Sequence, residues 1–162
     1  MYGDLKREFS FNFSNASVAM IDASGMCLEV ITNILAGYGF RRMFRSSDLA
    51  SGTEIIKSNA IDLLIIDPAG FGPDAYNLIS WLRAEQSGPN GSVPVIIVTA
   101  HTKMRLITTA RQCGADYIVA KPFSTSGLLG RILWVATASE RRGELMAPTT
   151  LVNSEGSGVE VW

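Results

Sequence analysis

Histidine is nearly missing from this chain of 162 residues, with His101 its only example, and cysteine is scarce, with Cys27 and Cys113 far apart and in no CxxC pair. That excludes a zinc site built from thiolates and imidazoles, and it excludes a disulfide framework. The setting it predicts is a reduced one. Long apolar runs are lacking too: the most continuous are a few residues each, far below the roughly 20 that a membrane-crossing helix needs. Asp4, Lys6, Arg7 and Glu8 interrupt the first residues, so no signal peptide is read there and a cytoplasmic location is expected. There is no charge excess of either sign. Fourteen basic residues against 15 acidic ones leave a net charge of -1, which supplies no global field toward nucleic acid or an anionic membrane, and neither is expected as a partner.

What is present is an ordinary globular composition, 47% hydrophobic and 18% charged, enough for one domain with a real core. The apolar residues come in short runs that end abruptly. Ile61-Asp62-Leu63-Leu64-Ile65-Ile66-Asp67-Pro68 is the plainest, a run without polar alternation that fits a strand covered on both faces. Pro68 disfavours helix at Asp67, so the strand is expected to stop with this carboxylate at its end. Val18 to Ile21 forms a similar run ending on Asp22, and Val93 to Val98 ends on Thr99. Tyr117 to Ala120 ends on Lys121 and Pro122. The arginine-rich run Phe40 to Phe44 reads as a fifth strand, at a sheet edge where charge is tolerated.

Helical patterns fill the gaps. Ser24 is a cap for a helix carrying Leu28, Ile31, Ile34 and Leu35, closed by Gly37 and Gly39; Ser47 or Asp48 caps the next, through Ile55 and Ile56. A Gly- and Pro-rich loop (Gly70, Gly72, Pro73) precedes a helix with Leu78, Ile79 and Leu82. Another is predicted from about Thr102 to Cys113, and a last one carries Leu128, Leu129, Ile132, Leu133 and Ala136. Alternating strands and helices predict a doubly wound α/β fold, a five-stranded parallel sheet with helices on both faces. The domain is bounded at residues 17–142. Residues 1–16 read as a polar extension with alternating Phe9, Phe11 and Phe13, and residues 143–162 as an aperiodic flexible tail.

In such sheets ligands bind outside the carboxyl ends of the strands, so Asp22, Asp67, Thr99 and Lys121 are expected to converge. Two carboxylates offer oxygens to a hard cation such as Mg²⁺, a lysine pairs with an anion, and a hydroxyl hydrogen-bonds it. The set fits a phosphoryl group held on an aspartate.

These residues, together with Thr99-Ala100 after Pro94-Val95-Ile96-Ile97-Val98 and the segment Gly114-Ala115-Asp116 through Lys121-Pro122-Phe123, resemble the receiver domain of two-component response regulators over roughly residues 16 to 138. The resemblance implies a flavodoxin-like fold and a phosphorelay signalling role rather than an enzyme's, with Asp67 as phosphoacceptor. Thr99 and Lys121 would contact the phosphoryl group, and Mg²⁺ would lie on Asp22, Asp67 and the main chain of Ala69. It implies a sensor histidine kinase or phosphotransfer protein upstream and a protein partner downstream. The output surface would lie on the last two helices, where Met104, Leu106 and Trp134 could also support a homodimer. The chain departs from the family pattern at Ala23, where a second acid is usual and whose loss should weaken Mg²⁺ binding. It departs also at Pro68, which has no N–H; at Phe71, with Pro73 two places on; and at Ile118, where an aromatic is common and Tyr117 stands one place early.

Three other readings stand beside this one. A pseudo-receiver would bind its partner without phosphate, as Ala23 and Pro68 suggest. A phosphatase with an aspartate nucleophile would need a second acid where Ala69 stands, and a flavin site would need a phosphate-cradling loop after the first strand. His101 reads as a surface residue at the rim of the site, with positioning of a water as its alternative role.

Overall fold

Each of the short apolar runs becomes a strand in the computed structural model, which describes residues 13–84, 90–138, 150–152 and 159–161. In chain order the elements are β1 (Ser17–Ile21), α1 (Gly25–Gly37), β2 (Arg42–Ser46), α2 (Leu49–Ser58), β3 (Leu63–Ile66), α3 (Asp74–Ala84), β4 (Val95–Thr99), α4 (Met104–Cys113), β5 (Tyr117–Ala120) and α5 (Thr125–Ala138). The five strands form one parallel sheet in the order β2-β1-β3-β4-β5, so the run ending on Asp67 is the central strand. Strands β1, β3, β4 and β5 are buried at every position, which is why their sequences are continuous rather than alternating. Right-handed crossovers carry the chain one way from β1 to β2 and the other way through β3, β4 and β5. Helix α1 therefore lies on the opposite face from the row formed by α2, α3 and α4.

Local chemistry sets the helix ends. Ser24 accepts a hydrogen bond from the Cys27 N–H at the start of α1, and Asp48 rather than Ser47 caps α2 by accepting from Ser51. Helix α4 starts at Met104, two residues later than expected, behind Lys103, which makes no side-chain cap; it stops at Gly114, whose φ of 103° is the left-handed turn that glycine tolerates. Gly52 lets α2 settle on β1, since a Cβ there would lie 2.5 Å from Cδ1 of Ile21.

Beneath the sheet, at the amino ends of the strands, two side chains tie elements together. Arg83 donates from Nε to the Gly114 carbonyl, from Nη1 to the Gly91 carbonyl (both 3.0 Å) and from Nη2 to Asp116 Oδ2 (2.9 Å), while the Val95 N–H donates to the same Asp116 oxygen. Asn90 is buried, accepting from the Ile61 N–H and donating to the carbonyls of Ile56 and Asn59.

Some expectations shift. The edge strand begins at Arg42 and not at Phe40, because Phe40 turns into the core and is stacked by Phe13 from a short 3-10 turn, Phe13–Asn15 (ring centroids 4.3 Å apart). Phe9 and Phe11 lie outside the described residues. The buried line of α5 is Leu128, Ile132 and Val135, with Leu129 and Leu133 half-buried. The stretch read as an aperiodic tail contains two strands, β6 (Thr150–Val152) and β7 (Val159–Val161), paired antiparallel. Three-residue runs are too short to show a period, and only their pairing with one another reveals them.

Candidate functional site

The parallel ladder does not stop at the strand ends. The Asp22 N–H donates to the Ser46 carbonyl, the Asp67 N–H to the Ile21 carbonyl and the Lys121 N–H to the Thr99 carbonyl. One extra rung beyond each strand thus sets Asp22, Asp67 and Lys121 on a single rim, with Thr99 closing β4 between β3 and β5. The bond from Lys121 to Pro122 is cis.

The side chains meet there. Lys121 Nζ lies 2.8 Å from Asp67 Oδ2 and 3.0 Å from Asp22 Oδ2, so one ammonium bridges two carboxylates. Each carboxylate uses its other oxygen on main chain: Asp22 Oδ1 accepts from the Ser24 N–H at 2.8 Å, and Asp67 Oδ1 accepts from the Ala69 N–H at 2.9 Å. The two acids are 5% and 6% exposed, a burial that unpaired carboxylates would not sustain. Burial pulls the Lys121 ammonium toward deprotonation, but its hydrogen bonds to Asp67 and Asp22 outweigh that and hold its pKa well above the ordinary lysine range.

Thr99 is buried at the same rim, and its Oγ1 accepts from the His101 N–H at 3.2 Å, while the His101 side chain is exposed. The four strand-end residues singled out in the sequence therefore share one end of the sheet, as expected. Ala69 contributes an N–H to Asp67, and Pro68 is buried in a turn in which its carbonyl accepts from the Phe71 N–H. The first main-chain donor after Asp67 is thus that of Ala69, already committed to the carboxylate.

One neighbour was not legible beforehand. The loop after β3 passes so near Ala23 that a Cβ placed on Gly70 would lie 3.2 Å from the Ala23 Cβ; Gly70 has a φ of 86° and glycine serves both needs. The two Gly residues in the loop hinted at an unusual path, but not at what it approaches.

Of the three residues expected on a partner surface, Met104 and Leu106 stand on α4 and Trp134 on α5. Met104 is 71% exposed and Leu106 half-buried, but Trp134 packs edge-on against Tyr117 with ring centroids 5.5 Å apart, and Arg131 lies over the same Tyr117 ring at 4.9 Å. Tyr117 is buried and engaged with α5, on the side of β5 opposite to Ile118, as the pleat requires. A second exposed apolar pair stands on α1: Met26, 77% exposed, and Val30, one turn later.

Among the described residues no helix is long and apolar enough to cross a membrane.

Comparison with known proteins agrees with this geometry. The chain is 24% identical over 114 residues to the chemotaxis protein CheY-3 of Vibrio cholerae, covering 70% of this chain and 86% of that protein. It is 27% identical over 115 residues to the chemotaxis protein CheY of Pseudomonas aeruginosa, covering 71% and 91%. A CheY-like receiver domain protein of Methanospirillum hungatei superposes with a TM-score of 0.69 at 19% identity, covering 79% of this chain and 98% of that one. Such domains are signalling modules, generally non-enzymatic, that interact with histidine kinases and downstream proteins and generally bind Mg²⁺ at the phosphorylation site. The response regulator receiver domain matches residues 18–133, and the chain belongs to that family.

Proposed function

We propose that this receiver takes a phosphoryl group on Asp67 and acts, in the cytoplasm, through contacts with other proteins. The observation that carries the reading is the single ammonium of Lys121 placed between the buried carboxylates of Asp22 and Asp67 at the end of the central strand. A carboxylate there is both a nucleophile and a group whose charge is already partly neutralised, the condition for approach by an anionic phosphoryl donor. With a phosphohistidine donor, an Asp67 carboxylate oxygen forms the P–O bond as the P–N bond breaks, and the imidazole leaves with the electron pair and is protonated from water. Lys121, released from the Asp67 oxygen that reacts, pairs with the phosphoryl oxygens, and the Thr99 hydroxyl, turned from the His101 N–H, donates to them.

A second reading is favoured by a specific observation. With Ala23 in place of a second acid and all four oxygens of Asp22 and Asp67 hydrogen-bonded within the protein, the site is satisfied as it stands. A receiver of this kind would bind its partner without phosphorylation. Incubation with acetyl phosphate, with Mg²⁺ and separately with a chelator, followed by intact-mass measurement, decides between them. One phosphate adduct on the wild-type chain and none on Asp67→Asn supports phosphoryl acceptance. No adduct in either condition supports the phosphate-independent role.

A further inference from the structure

The same four oxygens raise a separate question, namely whether a divalent cation has a place here at all. A hard cation of this kind prefers octahedral oxygen ligands and is held by carboxylate charge. Among the described residues no group of three His, Cys, Asp or Glu side chains comes together that could hold a metal ion. Asp22 and Asp67 each give one oxygen to a main-chain N–H and the other to Lys121, so a cation placed between them meets the ammonium first. The third acid is missing as well, since the residue after Asp22 is Ala23, whose methyl offers no ligand. With Lys121 in place, two carboxylates leave a single net negative charge; a third would double the attraction for a divalent ion.

We propose that Lys121 is the standing counter-ion of the Asp22–Asp67 pair in this receiver and that the pair does not hold Mg²⁺. The residues present do not fit the metal that receivers of the family generally bind, and the misfit lies in two places: the missing carboxylate at Ala23 and the ammonium between the two acids. The inference concerns the unphosphorylated site and holds whether or not Asp67 accepts phosphate, so its test involves no phosphodonor.

The test is direct metal binding to the full chain, followed by loss of the free-ion electron paramagnetic resonance signal of Mn²⁺ and by calorimetric titration with Mg²⁺. The wild-type protein is expected to show no saturable site at millimolar metal. Ala23→Asp, at an exposed position, should create one whose affinity is greater by on the order of tenfold or more, because ligand charge sets affinity for hard cations. Lys121→Gln, measured at a temperature where circular dichroism shows it folded, should also bind more tightly than wild type, and Asp67→Asn should remove the site made by Ala23→Asp. A saturable wild-type site lost in Asp67→Asn would overturn the proposal. So would an Ala23→Asp variant that binds no better than wild type. Should Lys121→Gln fail to fold, the comparison between wild type and Ala23→Asp still decides.

Discussion

Lys121 does the most at the scale of a single residue, because it is one cation answering two buried anions. Replacing it with Met keeps the stem and leaves Asp22 and Asp67 facing each other without a counter-charge, a loss expected to cost about 3 kcal/mol in urea unfolding at neutral pH. The pH dependence has a definite sign. The folded-state pKa of Lys121 is raised, so the stabilisation is fully present below the ordinary lysine value and is lost only as pH climbs through the raised one. The gap in unfolding free energy between wild type and Lys121→Met should therefore stay level from about pH 7 to about pH 9, and close only at strongly alkaline pH. A gap that shrinks already between those values would show that Lys121 is not held as an ammonium.

At the scale of elements, the fold depends on a close approach and on a latch. Helix α2 reaches β1 only because residue 52 has no side chain, with the would-be Cβ 2.5 Å from Ile21 Cδ1 and 2.9 Å from its Cγ1. Gly52→Ala improves helix propensity by about 1 kcal/mol, but overpacking a buried contact costs about 1–3 kcal/mol, so a net loss near 1 kcal/mol is expected by chemical denaturation. A gain in stability would mean that Ile21 can turn aside. The latch is Arg83, which binds α3 to the chain entering β4 and to the turn before β5 through two carbonyls and Asp116. Arg83→Met should cost about 2 kcal/mol, as hydrogen bonds to a charged group are lost while the Val95 N–H still donates to Asp116. Hydrogen exchange in that variant should rise first at Val95 and Asp116, whose main chains are paired with each other. The Gly-Ala-Asp segment that helped mark the family in the sequence thus works in holding two strands together, far from the Asp67 end.

At the scale of the molecule, the sheet and the helices on it enclose one continuous core, and a buried thiol can report on it. Cys113 is buried at the end of α4, and that burial pushes its pKa up, with hydrogen bonds from the main chain and the charge of Arg83 pulling the other way. A thiol whose folded pKa is raised contributes stability that is intact below the unfolded value and declines as pH rises past it. Alkylation of Cys113 at about pH 8 should be slow in the native protein and should accelerate along the urea unfolding curve followed by circular dichroism. Reaction that precedes global unfolding would show that α4 opens on its own.

Much of this was legible before any tertiary contact was known. Continuous apolar runs specify strands buried on both faces, glycine and capping residues place most helix ends, and their alternation leaves a parallel doubly wound sheet as the economical arrangement. That topology alone puts Asp22, Asp67, Thr99 and Lys121 at one end of it. What remained for the tertiary structure depends on contacts between residues far apart in the chain, which no local pattern carries. Phe40 was drawn out of its strand by Phe13, Trp134 was claimed by Tyr117, and two three-residue strands appeared only by pairing. The loop at Gly70 came to pass so near Ala23 that a side chain on Gly70 would crowd it, and Lys121 took both carboxylates at once. Periodicity and turn chemistry act over a few residues and so decide the elements and their order. The electrostatic state of the site is decided by distances of a few ångströms across the ends of three strands, and those exist only once the chain has folded.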